Sequence, residues 1–328
     1  MNDQELLIFN LPENDNLYLN FRQRGSFIAH GGLIENILIA AEHVGYSTAL
    51  SLFPAGEKSN LVASISFSHG ATPRPHALFD AIKQRHTNRR PYLPTPLTPE
   101  QRQALLSTPN ELGFGLVKLV ERPEEKELAG RASALAEIVI LENKLLHGYL
   151  FRDVVWTKAE EKQKRHGLFM DAMEFNPMQK LLFRLAKHWP LMTVGIRAGF
   201  PKFIAKEDAK LYATGAAMGI VLIEGDRPTD FVNAGRLMQQ IWLKATAHQL
   251  ALQPVTATLF FAQRILAGET EGVLSPHHIA MMKTAYTDIQ KTFGVTNGHI
   301  AMMFRIGTAA HASARSSRIP AEEKIRSI

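Results

Sequence analysis

Two apolar segments that lie 204 positions apart constrain the fold of this chain more than any other feature. Residues 31–44 read GGLIENILIAAEHV, and a helix with apolar side chains on nearly every side lies buried. Residues 230–250, DFVNAGRLMQQIWLKATAHQL, predict a second helix of this kind. Four positions are identical after the shift: Gly31, Leu33, Ile37 and Ala41 fall on Gly235, Leu237, Ile241 and Ala245. Since strand-like segments flank both helices, we predict a duplicated unit, with chance sharing of residue types as the alternative.

Proline and glycine mark the borders between the predicted parts of the chain. The stretch GATPRPH, at 70–76, predicts a linker, so we expect a first part at 1–70 and a second at 71–328. The first part begins with a predicted hairpin, ELLIFNL followed by LYLNF, and the second contains a predicted turn at Gln253-Pro254. Residues 151–210 have a Pro or Gly every few positions and predict an irregular lid rich in Phe, Met, Trp and Lys.

Composition excludes several classes of protein. The chain has no cysteine, which excludes disulfides, thiolate nucleophiles and zinc–thiolate sites. No run approaches the roughly 18 apolar residues of a membrane span, and the N-terminus as written has no signal peptide, so we expect a cytoplasmic protein with no membrane partner. Although the net charge is +6, Lys and Arg alternate with Glu in RPEEKELAGR and KAEEKQKRHG, which is typical of solvated helix faces. We therefore expect no nucleic-acid partner.

One short turn concentrates positive charge. QRHTNRRPY places Arg85, His86, Arg89 and Arg90 within six positions at the end of a predicted helix, with Thr87 among them. A phosphate dianion suits this set, since charge-assisted hydrogen bonds contribute about 1.5–3 kcal/mol each. The alternative is that a helix C-terminus favours cations in any case, by about 0.3–1 kcal/mol each. That effect explains one or two of these residues and hardly four, so the residues alone leave both interpretations open.

No constellation of catalytic side chains is evident in the sequence. None of the thirteen histidines, including the adjacent His277 and His278, stands at ligand spacing from acidic residues, so we predict no metal site and no catalytic residue. A dinucleotide-binding glycine fingerprint is also missing. This pattern is typical of an enzyme whose cofactor performs the chemistry.

RHTNR, followed by an aromatic residue and a proline-rich stretch, resembles the flavin-phosphate signature of the FMN-dependent nitroreductase family. Arg85, His86, Thr87 and Arg89 fall on its first, second, third and fifth positions. The tail, ASARSSRIPAEE, resembles the family's second phosphate segment, a basic residue before a proline. Arg318 matches it, and Arg315 replaces the preceding basic position, where Ser316 stands. The resemblance implies that these side chains bind the FMN phosphate.

The helix and turn at 234–254 are similar to the family's interface helix and the turn after it, whose backbone amides contact the flavin N5 and O4 edge. The matching residues here are Thr256 and Ala257. The repeated helix resembles the branch in which two units are joined in one chain, as in the dormancy-associated nitroreductase-like proteins of mycobacteria. The resemblance implies an α+β fold, a mixed, mainly antiparallel sheet wrapped by helices. It also implies a duplication that makes the chain a monomeric pseudo-dimer or a loose homodimer, with 1–70 as a truncated first half.

One family feature is missing. A stretch of the form Pro-Ser-x-x-Asn-x-Gln-Pro-Trp, contributed to the flavin from across the interface, normally precedes the first hairpin, and Met1 lies almost directly before ELLIFNL. Either this part of the flavin pocket is lost or it lies upstream of Met1. We expect the second, since a strand without its preceding helix leaves apolar surface uncovered.

The resemblance implies a function as well as a fold. NAD(P)H would deliver hydride to the flavin N5, and a small aromatic acceptor such as a nitroaromatic or a quinone would then collect it by ping-pong kinetics. Apolar lid side chains would cover that acceptor or only pack among themselves: Phe151, Trp156, Phe169, Met170, Met173 and Phe175. The alternative function is non-catalytic FMN binding, for storage or sequestration.

Overall fold

The computed structural model describes residues 4–15, 18, 20–69, 76–270 and 272–326. The strands are β1 (Gln4–Phe9), β2 (Tyr46–Leu52), β3 (Leu61–His69), β4 (Leu116–Val120), β5 (Val154–Val155), β6 (Leu168–Phe169), β7 (Ala217–Ile223), β8 (Ala251–Pro254) and β9 (His299–Gly307). The helices are α1 (Arg24–His43), α2 (Phe79–Gln84), α3 (Pro99–Leu106), α4 (Thr108–Leu112), α5 (Pro123–Glu142), α6 (Lys144–Arg152), α7 (Lys158–Lys164), α8 (Pro177–Ala186), α9 (Trp189–Arg197), α10 (Phe200–Tyr212), α11 (Pro228–Ala247), α12 (Ala257–Leu266) and α13 (Pro276–Thr292).

Two antiparallel sheets organise the fold. The first has the order β1-β3-β2 and the second β4-β7-β9-β8, while β5 and β6 form a short parallel pair. Alternation along β2, with every second residue exposed, matches a sheet that has one face toward solvent. Strand β7 is buried throughout because helices cover both faces of the second sheet. The predicted α+β class, with a mixed, mainly antiparallel sheet wrapped by helices, is confirmed.

The same succession of elements occurs in both sheets. In the first, β1, α1, β2 and β3 follow one another, and β3 lies between the other two strands. In the second, β7, α11, β8 and β9 follow in that order, and β9 again lies between its two partners. The second unit differs by the insertion of α12 and α13 before β9 and by the extra edge strand β4.

Helices α1 and α11 pack face to face at two glycines. A Cβ atom on Gly31 would lie 2.0 Å from Val232 O, and one on Gly235 would lie 2.0 Å from Ile28 O. Val232 stands 204 positions after Ile28, the same shift that relates the two glycines. The shift of 204 positions therefore converts one close contact into the other, as the symmetry of an isologous interface does.

Polar residues in the middle of this interface form two hydrogen bonds that are related by the same shift. Gln240 Nε2 donates to Glu35 Oε1 at 2.7 Å, and Gln239 Nε2 donates to Asn36 Oδ1 at 2.7 Å. A shift of 204 turns Glu35 into Gln239 and Asn36 into Gln240, so the two hydrogen bonds are equivalent. Arg236 also donates to Glu35, at 2.9 Å, which neutralises the buried carboxylate.

Two hydrophobic cores lie on opposite sides of the second sheet. The first joins both sheets across α1 and α11, with Ile34, Ile65, Leu237 and Phe304 among its fully buried members. The second fills the space between the sheet and helices α5, α12 and α13. The apolar patterns at 31–44 and 230–250 therefore marked the helices at the centre of the molecule.

The hairpin predicted at the start of the chain is wrong. Strand β1 forms, but it pairs with β3, with Gln4 opposite Phe67. Tyr18 and Asn20 lie in turns, and Phe21–Gln23 forms a 3-10 turn that leads into α1. Phe21 is only 1% exposed, so it anchors the start of α1 instead of continuing a strand. Most of the predicted linker, 70–75, and residues 16, 17 and 19 of the hairpin lie outside the described residues.

The lid was predicted to be irregular, but it is largely helical. Pro177, Pro190 and Pro201 each stand in the first turn of α8, α9 or α10, where the missing N–H leaves no hydrogen bond unmade. These prolines begin helices instead of breaking them. Likewise, Gln253 and Pro254 belong to β8 and not to a turn, since β8 is an edge strand, where proline is tolerated. Over the described ranges, the longest apolar helices fall short of what crossing a bilayer requires.

Candidate functional site

The basic turn runs from the end of α2 alongside β8. Thr87 forms a parallel bridge with Leu252, and Asn88 N donates to Leu252 O at 3.3 Å. Asn88 is buried, and its Nδ2 donates to Ala310 O at 2.9 Å. The turn is therefore fixed to β8 on one side and to the C-terminal tail on the other.

Arg85 is a half-buried cation at the start of this turn. Its guanidinium lies over the Trp242 ring of α11, 4.2 Å from the centroid. Its Nε is buried and has no hydrogen-bond partner within the described protein. Burial, together with the nearby charge of Arg318, lowers the pKa of Arg85 to about 10. Arg85 therefore stays charged at neutral pH and has a donor available for an anion.

His86 has the same unsatisfied character. Its Nδ1 lies 2.8 Å from Gln84 O, which makes Nδ1 the protonated nitrogen of the ring. The second nitrogen, Nε2, is buried and has no partner among the residues described. Burial lowers the pKa of His86, and the charges of Arg315, His311 and Arg85 lower it further. The hydrogen bond to Gln84 O raises this pKa but does not offset the other effects. An anion at this point would relieve that repulsion.

The C-terminal tail returns to the basic turn. Arg318 Nη2 donates to Arg85 O at 2.8 Å, and Nη1 donates to Ile82 O at 3.4 Å, so Arg318 caps the last carbonyls of α2. Arg315 lies close enough to His86 to affect its pKa. We call Arg85, His86, Arg315 and Arg318 the cationic cluster. All four were predicted, and the structure brings them together from positions more than 220 residues apart.

Two predicted residues take other positions. Arg89 points to the lid, where its Nη1 donates to Ala172 O at 3.2 Å, and burial lowers its pKa. Thr87 forms the backbone bridge to β8 described above.

Thr256 and Ala257 lie at the beginning of α12, just beyond β8. Thr256 is the N-cap residue and Ala257 the first helical residue, so the first N–H groups of α12 have no acceptor within the helix. Because Thr87 and Asn88 adjoin Leu252, the cationic cluster and this helix start flank the same short strand. Leu252, beside the turn, lies four residues before Thr256, which is about 13 Å along an extended chain.

Sequence reasoning missed the residue that holds these elements together. Arg305, on β9, is fully buried and donates to four oxygens: Gln253 Oε1 at 2.9 Å, Leu211 O at 2.9 Å, Thr214 Oγ1 at 2.8 Å and Arg90 O at 2.9 Å. Its guanidinium also stacks on Tyr92, 4.0 Å from the ring centroid. An arginine inside the apolar run IAMMFRIG was the available signal, because a buried charge needs partners.

A pair of carboxyl groups lies between α5 and α10. Burial and the neighbouring Asp208 raise the pKa of Glu137 above its usual range, and burial with Glu207 raises that of Asp208. Tyr212, one turn after Asp208, also has a raised pKa because it is buried near both carboxyl groups. No set of three or more metal-ligating side chains occurs in the part of the chain that the structure describes.

The lid is tied to the tail by serine–carboxylate contacts. Ser313 N and Oγ donate to Glu174 at 2.6 and 2.9 Å, and Ser317 Oγ donates to the buried Glu161 at 2.5 Å. Most of the predicted lid aromatics pack among themselves: Phe151 lies 4.8 Å from Phe183 and stacks on Trp156 at 6.2 Å. They form a small core of the lid.

The chain is similar to proteins of one known family. The family described as the nitroreductase family matches residues 82–308. An uncharacterized protein of Mycobacterium tuberculosis is 23% identical over 316 residues, which cover 96% of this chain and 43% of that protein. The chain thus spans less than half the length of this curated relative.

Solved structures give similarities at lower identity. An FMN-dependent nitroreductase of Mycobacterium smegmatis, crystallised with NADPH, is 15% identical with a TM-score of 0.42, over 77% of this chain and 98% of that one. A nitroreductase of Desulfitobacterium hafniense with bound FMN is 14% identical with a TM-score of 0.40, over 78% of this chain and all of that one.

Proposed function

Because the chain belongs to the nitroreductase family, we propose that it binds FMN and acts as a flavin-dependent oxidoreductase. The observation that carries this proposal is the cationic cluster, in which Arg85 Nε and His86 Nε2 are buried and have no hydrogen-bond partner among the described residues. Four basic side chains around two unused polar atoms fit a phosphate dianion better than any neutral ligand.

We assign the phosphate to the cationic cluster. Arg85 is held rigid by Trp242, and Arg318 is oriented by the carbonyls of α2, so both guanidinium groups are positioned before a ligand arrives. His86 donates from Nε2 only when protonated, and a bound dianion raises its pKa by direct attraction. The family signature implies that Thr87 and Arg89 complete the site from the same turn, and for this Arg89 would exchange its hydrogen bond to Ala172 O for one to the phosphate.

The opposite end of the cofactor is assigned to Thr256 and Ala257. Their backbone N–H groups begin α12, and the positive end of a helix favours negative charge on a bound ring edge. Bound there, FMN would supply the redox chemistry, which is hydride transfer from NAD(P)H to a small aromatic acceptor such as a nitroaromatic or a quinone.

The visible absorption spectrum of the purified protein tests this proposal. With FMN added, we expect a flavin band that NADPH or NADH bleaches under anaerobic conditions and that an aromatic acceptor restores. A band that neither nucleotide bleaches would favour the alternative, an FMN-storing protein. No flavin binding at all would contradict both.

Substitution of Arg318 tests the assignment of the phosphate. We expect Arg318→Ala to weaken FMN binding by at least about tenfold, since one charge-assisted hydrogen bond contributes about 1.5–3 kcal/mol. Arg122→Ala is the matched control, because Arg122 is an exposed arginine outside the cluster, with side-chain exposure of 71%. Equal loss in both variants would contradict the assignment.

We also propose that the chain is a pseudo-dimer, with a truncated first half at 1–70 and a second half at 71–328 that carries the lid at 151–210. The repeated order of elements and the exchanged contacts of α1 and α11 support this proposal. In this arrangement α1 replaces the helix that a second subunit would supply, next to Trp242 and Arg85.

A further inference from the structure

One segment of the lid is basic throughout. Residues 175–206 carry six Lys and Arg and no Asp or Glu. The interleaving of Lys and Arg with Glu stops after Glu174 and resumes at Glu207, so this segment alone has a formal charge of +6.

The same segment exposes large apolar side chains. On α8, Met178, Leu181 and Leu185 are 62%, 51% and 45% exposed, and their spacing of three and four places them on one helical face. On α9, Leu191 and Val194 are 51% and 63% exposed, also three residues apart. Phe203 on α10 is 54% exposed.

The three helices form one continuous layer. Helix α8 packs on α9, and α9 packs on α10. Their inner faces bury Ala186 and Met192 with Phe183 and Phe200 in the core of the lid. The exposed apolar residues are therefore additional to a core that is already complete, and packing within the lid does not explain them.

The cations of this layer have few carboxylate partners. Lys180 pairs with Asp171 at 2.7 Å. Among the residues that the structure describes, the other five form no ion pair: Arg184, Lys187, Arg197, Lys202 and Lys206. Unpaired cations beside exposed apolar side chains, with no acidic residue between them, call for an anionic and apolar partner.

We propose that α8, α9 and the first turns of α10 form a surface that binds the face of an anionic lipid bilayer. The apolar side chains enter the acyl boundary and the cations contact the headgroups, so the protein lies on the membrane and does not span it. A second copy of this face is a poor partner, because an isologous contact would place the same unpaired cations against each other. This proposal does not depend on flavin binding, and it replaces the expectation of no membrane contact.

A groove continues the surface between α5 and α10. It has a volume of about 610 Å³, with Ile138, Ala205 and Ala209 among its apolar lining. Lys202 and Lys206 line it as well, so the groove joins the basic layer directly. Four cations and one carboxylate line its edge: Arg131, Lys202, Lys206, Lys210 and Glu127. A groove with apolar walls and a mainly cationic edge suits part of an anionic amphiphile.

Co-sedimentation with vesicles tests the proposal on the full chain. We expect binding to vesicles of phosphatidylglycerol and phosphatidylcholine, little binding to phosphatidylcholine alone, and weaker binding at high salt. Arg184→Gln with Arg197→Gln should lower the partition coefficient about 25-fold, at about fivefold for each cation. Leu181→Asn with Val194→Asn should lower the partition coefficient at least about tenfold. Because all four side chains are exposed, neither pair of substitutions should alter the circular dichroism spectrum.

Matched variants outside the layer serve as controls. Lys283→Gln with Lys291→Gln removes two exposed cations of α13, and Leu266→Asn removes an apolar side chain that is 65% exposed. Neither control should change vesicle binding by more than about twofold. Loss of binding equal to that of the α8 and α9 variants would overturn the proposal. So would salt-sensitive binding to DNA without vesicle binding, or a dimer that the α8 and α9 substitutions dissociate.

Discussion

At the scale of single residues, Arg305 is the side chain on which most of the site depends. It connects β8, β9, the basic turn and the end of α10, and its loss leaves Gln253 Oε1 and Arg90 O without this donor, whereas Leu211 O and Thr214 Oγ1 keep others. We expect Arg305→Met to lower the free energy of unfolding by about 3 kcal/mol, measured by urea denaturation. Arg152→Met, which removes an exposed guanidinium, should stay within about 0.5 kcal/mol of the parent. If Arg305→Met has the same free energy of unfolding as the parent, this network does not stabilise the fold.

Glu137 makes stability depend on pH. Since burial raises its pKa above the unfolded value, the folded chain holds the proton more tightly, and stability falls as pH rises from the unfolded pKa toward the folded one. Glu137→Gln removes this dependence, so its melting temperature should exceed the parent's at about pH 9 and match it at about pH 4. Glu127→Gln, on an exposed position of the same helix, is the control. An unchanged pH profile in Glu137→Gln would contradict the raised pKa.

Residues adjacent in sequence were predictable, and their distant partners were not. Arg85, His86, Arg315 and Arg318 occur in two short motifs, so their chemistry could be inferred before their positions were known. The ring of Trp242 under Arg85 lies 157 positions away and carries no local signal. Such contacts depend on how helices pack, which a single sequence does not specify.

At the scale of elements, Gly→Ala substitutions at two positions of α1 separate the effect of close helix packing from that of helix propensity. Gly31→Ala puts a Cβ 2.0 Å from Val232 O, so we expect a loss of about 1–3 kcal/mol in unfolding free energy. At the neighbouring Gly32 the nearest atom would be Gln239 Oε1, at 3.7 Å, so Gly32→Ala should gain up to about 1 kcal/mol. Chemical denaturation of both variants measures the difference. Equal effects would contradict the close approach of α1 and α11.

The sequence predicted helices with a strong apolar pattern, and it missed lid helices that have a proline in the first turn. Helix α11 follows the apolar pattern at 230–250 closely, whereas α1 matches the end of the pattern at 31–44 but begins at Arg24, seven residues earlier. The helices of the lid were missed because Pro177, Pro190 and Pro201 resemble breakers, although a proline in the first turn is compatible with a helix. Asn176 supplies the decisive local signal, a capping box with Gln179.

At the scale of the whole molecule, the pseudo-dimer makes a prediction about assembly. If α1 occupies the place of a partner's helix, the interface is already filled within one chain. Light scattering coupled to gel filtration should give a mass near 36.6 kDa at micromolar concentration. A stable species of twice that mass would contradict the internal replacement of a partner.

The measurement that tests the central claim most directly compares the affinities of FMN and riboflavin for the full chain, by quenching of flavin fluorescence. The two ligands differ only by the phosphate, which we assign to Arg85, His86, Arg315 and Arg318. Two charge-assisted hydrogen bonds of about 1.5–3 kcal/mol each predict that FMN binds at least about 100-fold more tightly. Equal affinity for FMN and riboflavin would contradict the claim that this cluster is a flavin-phosphate site.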